Sequence, residues 1–270
     1  MMRGVTYDAG AAAYDQFTGR WSLAFASGLL SAAGVTGGQT VLEVAAGTGG
    51  LTAMAVSAVT SLGRVIATDL SLPMLRVAQC KIAGRRLDLV VMDGQDLACR
   101  DRSVDVVICQ LGLMFFPNVT RGLEEFRRVL RPHGRLAIQV WSRPDRVSFF
   151  GMLADALSRY FPEQRDVLYS PAALADPDRL EQLLATAGFR DVSVVQETRE
   201  ITFRSFEEYW SGIEAGGGRL GQFYLALRDA ERRAVRDELS RRMARFESSG
   251  RLALEAEALI ATGNNVIERF

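Results

Sequence analysis

The residues of this 270-residue chain whose types and spacing could do chemistry begin with a glycine loop, VLEVAAGTGGLT from Val41. An apolar run, Gln39–Ala45, leads into Gly47 and Gly49, and a helix is predicted from Gly50 to Leu62. Glycines let the backbone turn tightly and approach a ligand closely, and a helix amino terminus offers N–H groups with no intrahelical partner. Such a loop is also a common strand-to-helix turn, so the acids that follow it matter more. Asp69 ends a second predicted strand, Arg64–Asp69, 20 positions after Gly49. An α/β nucleotide fold sets an acid there against ribose hydroxyls, although the same residue also suits the start of the next helix. Asp93, in VMDGQDL, ends a third strand. It could accept from an exocyclic amine such as that of adenine, or serve only as half of an Asp-Gly turn pair.

The elements that must position these groups alternate regularly. After the Asp69 strand comes a helix, Pro73–Ala83, starting at Ser71 or Leu72 because proline suits a first turn. Strands follow at Leu87–Met92 and Val104–Cys109, then a helix at Arg121–Leu130 with Leu123, Phe126, Val129 and Leu130 on one face, then a strand at Arg135–Trp141. Apolar strands separated by helices predict a parallel sheet covered on both faces, and right-handed crossovers make it a doubly wound α/β fold. Beyond Trp141 the rhythm loosens. Helices are predicted at Leu153–Phe161, Asp178–Ala187, Ser205–Gly212 and Asp229–Glu247, and strands at Asp191–Gln196, Ile201–Phe203 and Leu254–Thr262. The expected division is a helical leader over 1–35, an α/β core over 36–196, a helical cap over 197–252 and a last core strand over 253–270.

Composition narrows the function. Lys plus Arg and Asp plus Glu both total 32, so the net charge is zero, which argues against a nucleic-acid binder working through a broad basic field. The single histidine, His133, nearly excludes a histidine metal site or a serine–histidine–aspartate triad, and it is expected exposed in a turn. Cys80, Cys99 and Cys109 lie far apart with no CxxC pair, so neither a disulfide framework nor a cysteine metal site is expected. No apolar run reaches the roughly 18–20 residues that span a bilayer, and the first residues lack a signal-peptide core. The expectation is a cytoplasmic protein with a small-molecule substrate, no nucleic-acid partner and no membrane span; the sequence leaves the oligomeric state open.

These motifs together resemble those of class I S-adenosylmethionine-dependent methyltransferases, and most nearly the bacterial small-molecule enzymes related to ubiquinone/menaquinone C-methyltransferases. VLEVAAGTGGLT is similar to the first motif of that superfamily, VIATDLSLPML to the second, VMDGQDL to the adenine-side motif, SVDVVICQLGLMFFPN to the fourth-strand motif and RRVLRPHGRLAIQVW to the approach to strand five. AAAYDQFTGRWS resembles a leader segment of the same group, and LADPDRLEQLLATAGFRDVSV the approach to strand six. Two positions depart from the pattern: Ala45 stands where glycine is usual, and Pro132-His133-Gly134 where Pro-Gly-Gly is usual. The resemblance implies a mostly parallel seven-stranded, Rossmann-like methyltransferase sheet, with a helical leader and a helical cap inserted before the last strand.

It implies S-adenosyl-L-methionine as cofactor, with the following roles. Glu43 faces the methionine amino end, and Ala45, Gly47 and Thr48 line the cofactor. Asp69, followed by Leu70, binds the ribose. Met74 packs on the adenine, and Asp93 and Gly94 meet its edge. Gln110 sits beside the methionine moiety, and Tyr14 and Arg20 close over its carboxylate. Residues 7–21 as a whole are expected to form a lid. The substrate side is expected to draw on Phe17, Trp21, Phe115, Trp141, Tyr209 and Trp210, among other aromatics of which about half should be core. No catalytic residue is named: a sulfonium releases a neutral thioether, so a base is required only for an acceptor that is protonated at working pH. Two rival functions are a nicotinamide-dependent oxidoreductase, whose glycine fingerprint Ala45-x-Gly47-x-x-Gly50 mimics, and a non-catalytic cofactor-binding protein. Lys81, the only lysine, lacks the tyrosine four residues upstream that short-chain oxidoreductases need.

Overall fold

The computed structural model describes residue 14 and residues 18–82 and 86–266. A helix α1 (Thr18–Ala33) precedes β1 (Thr40–Val44), α2 (Gly50–Val59), β2 (Arg64–Asp69), α3 (Leu72–Lys81), β3 (Leu87–Val91) and β4 (Val104–Gln110). Then come α4 (Val119–Val129), β5 (Leu130–Trp141), α5 (Ser148–Ser158), a single helical turn α6 (Arg165–Leu168), α7 (Pro177–Thr186) and β6 (Arg190–Phe203). The chain closes with α8 (Phe206–Glu214), α9 (Gly218–Leu225), α10 (Asp229–Met243), β7 (Glu247–Ser248) and β8 (Arg251–Asn264).

The sheet runs β3-β2-β1-β4-β5-β8-β6, with β7 folded back on β8 as a two-residue hairpin partner. β1 to β5 pair in parallel, and β8 inserts antiparallel between β5 and β6. This is the doubly wound, mostly parallel sheet expected, enlarged from seven strands to eight by β7. Chain direction reverses its winding between β1 and β4, which opens a crevice at their carboxyl ends. Alternation along the strands divides the core between the two faces. Leu42, Val44, Val107, Cys109, Leu136, Ile138 and Val140 face one layer, and Val41, Val65, Ala67, Val106, Ile108 and Ala137 face the other, under α1 and α2.

Several boundaries differ from the sequence expectation. The two short strands expected at 191–196 and 201–203 are one strand, β6, because β8 pairs with it through Phe203; the charged stretch between them lies along an exposed edge and masks the alternation. Residues 197–203 therefore belong to β6, and β8 begins at Arg251 and ends at Asn264. β5 starts at Leu130, so the helix expected to reach that residue stops at Val129. Helix α5 begins five residues before the expected Leu153 and ends at Ser158. Helix α9 was not expected, since Gly218 and Gly221 disguise it. Leader residues before Thr18, Tyr14 apart, lie outside the described residues.

Candidate functional site

The cavity lies where β1 to β4 end. Ala46 N–H donates to the Thr68 carbonyl at 2.9 Å, which ties the loop after β1 to the end of β2. Asp69 completes the tie: its Oδ2 accepts from Gly47 N–H and its Oδ1 from Ser71 N–H, both at 2.8 Å. Gly49 then caps α2 with φ 83°, and a Cβ there would come within 2.7 Å of Ile82 and 2.9 Å of Ala78. Both the dihedral and the close packing require glycine. Ala45 has φ 60°, and Leu111, just past β4, has φ 53°. Left-handed backbone costs an L residue about 1–2 kcal/mol, and both of these residues line the cavity. The Ala45 dihedral gives the physical reason glycine is usual at that position.

Ser71 caps α3 by accepting from Met74 N–H at 3.3 Å, and Met74 turns into the cavity. At the end of β3 the Asp93 Oδ1 accepts from Gln95 N–H at 2.8 Å, which makes a turn of VMDGQDL while the side chain still lines the cavity. Ser71 rather than Asp69 is the cap of α3, Asp93 forms the expected turn, and both acids also line the cavity. Gln110 Nε2 donates to the Ser22 carbonyl and to Gln139 Oε1, each at 2.9 Å, and so fastens α1 across the end of β4.

One cavity of about 230 Å³ joins these strand ends to an aromatic wall. Of the expected cofactor residues, Tyr14, Ala45, Gly47, Asp69, Leu70, Met74, Asp93, Gly94 and Gln110 line it. Three do not. Arg20 donates to Glu208 Oε1 and to the Thr202 carbonyl, both at 3.0 Å, and lies over the Phe203 ring; it clamps α1 to the cap. Thr48 and Glu43 are buried behind the loop. Burial pushes the Glu43 carboxyl up to about 8, with the Thr52 hydroxyl offsetting part of this and the Asp69 charge adding to it.

Of the expected substrate residues, Phe115 and Trp141 line the cavity, joined by Phe116, Phe149 and Phe150. Trp21, Tyr209 and Trp210 are fully buried core. Trp21 stacks on Phe149 at 3.7 Å, and the Tyr209 hydroxyl donates to the Phe149 carbonyl at 2.9 Å, so these residues hold the wall from behind. Phe17 lies outside the described residues. His133 is exposed at the opposite end of the sheet, with φ 64°. Sequence reasoning missed Gly112, Leu153, Ile213, Gly217, Gly218 and Arg219, all of which line the cavity. The cap residues among them carry no motif, and only the chain's path returns them to the strand ends. Among the described residues no group of three or more His, Cys, Asp or Glu could hold a metal ion, and no helix is long and apolar enough to cross a membrane.

The acids, loop and aromatic wall suit a ligand with ribose, adenine and apolar parts. Residues 42–138 match the family model described as "Methyltransferase domain". The chain is 34% identical over 169 residues to a demethylmenaquinone methyltransferase of Porphyromonas gingivalis, an alignment covering 56% of this chain and 68% of that one. It is 32% identical over 176 residues to the enzyme of the same name from Renibacterium salmoninarum, covering 61% and 72%. In fold it is similar to a SAM-dependent methyltransferase from Aquifex aeolicus, with a TM-score of 0.54 at 21% identity over 70% of this chain and 93% of that one. The chain belongs to the S-adenosylmethionine-dependent methyltransferase family and is an enzyme that takes its methyl group from that cofactor.

Proposed function

We propose that the cavity holds the cofactor across β1 to β3 and the methyl acceptor against the aromatic wall, and that the acceptor is a small, ring-bearing organic molecule. The observation that carries this reading is the continuity of one cavity from Asp69 and Asp93 to Phe115, Trp141, Phe149 and Phe150. The donor set fits the cofactor. Asp69 keeps its loop N–H bonds while presenting carboxylate lone pairs to two vicinal hydroxyls. Asp93 and Gly94 take the adenine edge, Met74 its face, and the loop from Ala45 to Gly47 the methionine part. Leu70 and Gln110 complete that contact, and Tyr14 covers it from the leader side. Thr48 and Glu43 shape the loop from behind.

S-adenosylmethionine, when bound, supplies an electrophilic methyl carbon on a sulfonium whose departure leaves a neutral thioether. The chain therefore has no leaving group to protonate. Its work is to hold the acceptor atom in line at close contact and to exclude water, which the buried aromatic wall does. The ionisable side chains lining the cavity, among the described residues, are Tyr14, Asp69, Asp93 and Arg219. Asp69 and Asp93 are engaged with backbone N–H groups. This favours an acceptor that is nucleophilic without a protein base: an acidic phenol or quinol, a thiolate, an amine or an activated carbon. The relatives are named for demethylmenaquinone, and a ring-bearing acceptor suits the same wall. Three free, separated cysteines favour a reducing compartment such as the cytoplasm.

Calorimetry with S-adenosylhomocysteine tests the assignment. Asp69→Ala should weaken binding by about 1–3 kcal/mol, the scale for losing a charged hydrogen-bond partner, with unfolding still cooperative. An unchanged dissociation constant would remove Asp69 from the ribose site. A mass-spectrometric methyl-transfer screen over phenols, quinols, thiols and amines then identifies the acceptor class.

A further inference from the structure

Arg219 is the one cation among the described residues that line the cavity. Its Nε is buried and makes no hydrogen bond. Its guanidinium lies 5.3 Å over the centroid of the Phe115 ring. Several other arginines of the cap are matched: Arg236 pairs with Glu207, Arg228 with Glu231 and Arg242 with Glu238 and Asp155. Arg219 pairs with no carboxylate among the described residues. A partly desolvated guanidinium without an anion is costly. Its planar fork of N–H donors is the group that best matches a carboxylate, through two parallel hydrogen bonds.

The cap delivers this side chain deliberately. Gly216 and Gly218 are left-handed, at φ 77° and 64°, so the chain turns sharply into α9 and Arg219 enters in its first turn. Gly217, Gly218 and Leu220 line the cavity beside it. Gly217 caps α9 without a side-chain acceptor, so the positive end of the helix adds to the same field. A Cβ on Gly218 would stand 3.4 Å from Thr18 Oγ1, which puts a hydroxyl at the same rim. Phe115, whose ring lies under the guanidinium, Ile213 and Leu220 give this part of the cavity apolar lining.

We propose that Arg219 sets acceptor specificity and that the acceptor is an organic acid, its ring against the aromatic wall and its carboxylate on the Arg219 guanidinium. This rests on the reading that the aromatic half of the cavity takes the acceptor. A neutral ring such as the demethylmenaquinone for which the relatives are named would leave the cation without an anion.

The test titrates benzoate, 2-naphthoate and hydroxybenzoates, each against its carboxamide, into the full chain with and without saturating S-adenosylhomocysteine. Trp141, in the cavity wall, supplies a fluorescence signal, and calorimetry supplies the affinities. The wild-type chain should prefer acids over amides by about tenfold or more, the scale of one charge-assisted pair. Arg219→Gln should abolish that preference, Arg219→Lys should keep part of it, and neither should change S-adenosylhomocysteine affinity by more than about twofold. Absence of an acid preference in the wild type, or its survival in Arg219→Gln, would overturn the proposal. So would a loss of S-adenosylhomocysteine affinity in Arg219→Gln, which would assign the cation to the carboxylate of the cofactor. Failure of S-adenosylhomocysteine to bind the wild type would instead overturn the cofactor assignment, and the titrations without it would still decide the role of Arg219.

Discussion

Ala45 and Gly112 meet at the floor of the cavity, and their contact yields a quantitative prediction. A Cβ placed on Gly112 would lie 2.4 Å from Ala45 Cβ and 3.2 Å from Cys109 Sγ. Carbon atoms rest about 3.5–4.0 Å apart, so the first contact is short by about 1 Å. Gly112 has φ −105° and ψ −44°, which alanine tolerates; the cost of Gly112→Ala is therefore steric, about 1–3 kcal/mol for an overpacked site. Ala45→Gly releases a left-handed alanine at φ 60°, worth about 1–2 kcal/mol, and loses about 0.5–1 kcal/mol to the greater freedom of unfolded glycine. It should be neutral to about 1.5 kcal/mol stabilising. In the double variant the worst clash is gone and only the Cys109 contact remains, so the pair should be coupled by about 1–2 kcal/mol. Urea unfolding of all four proteins measures this directly, and S-adenosylhomocysteine calorimetry should show the affinity lost in Gly112→Ala and recovered in the double variant. Additivity within about 0.3–0.5 kcal/mol would refute the packing argument.

Glu43 is held neutral by burial, with its pKa raised to about 8. Because the folded pKa exceeds the unfolded one, its contribution is intact below about pH 4.5 and is lost as pH rises towards 8, by at most about 1.4 kcal/mol per unit. Glu43→Gln should flatten that part of the stability profile, and parallel wild-type and variant curves between pH 5 and 8 would contradict it. Arg20→Ala should leave S-adenosylhomocysteine affinity within about twofold and cost about 1 kcal/mol or less of stability, since the Glu208 pair is partly exposed; a large affinity loss in calorimetry would return Arg20 to the cofactor site. Trp21→Ala should cost about 3–5 kcal/mol in urea unfolding, as expected for an aromatic residue with no exposed surface, and a stable variant that loses only turnover would make Trp21 a substrate contact.

Much of the site was legible in the sequence because it is local. The glycine loop, Asp69 and Asp93 each close a strand within a few residues, and turn chemistry ties side chain to backbone: Asp69 to Ser71, Asp93 to Gln95, Ser71 to Met74. Strand periodicity likewise determined the parallel core, because buried strands must be apolar on both faces. The tertiary structure alone decided which aromatics face the cavity. Trp21, Tyr209 and Trp210 carry the same composition signal as Phe115 and Trp141, yet they are core: Trp21 and Tyr209 pack against Phe203 of β6 and Phe149 of α5, and Trp210 packs on Phe206 and on Tyr224 of α9. It also decided the fate of the two arginines. Arg20, in the leader motif, is drawn to Glu208 on the cap, while Arg219, in a stretch with no motif, is carried to the cavity by two left-handed glycines. Both outcomes depend on partners far along the chain, 188 residues away for Arg20 and Glu208 and more than 100 for Arg219 and Phe115, and no local pattern encodes which distant surfaces the folded chain brings together.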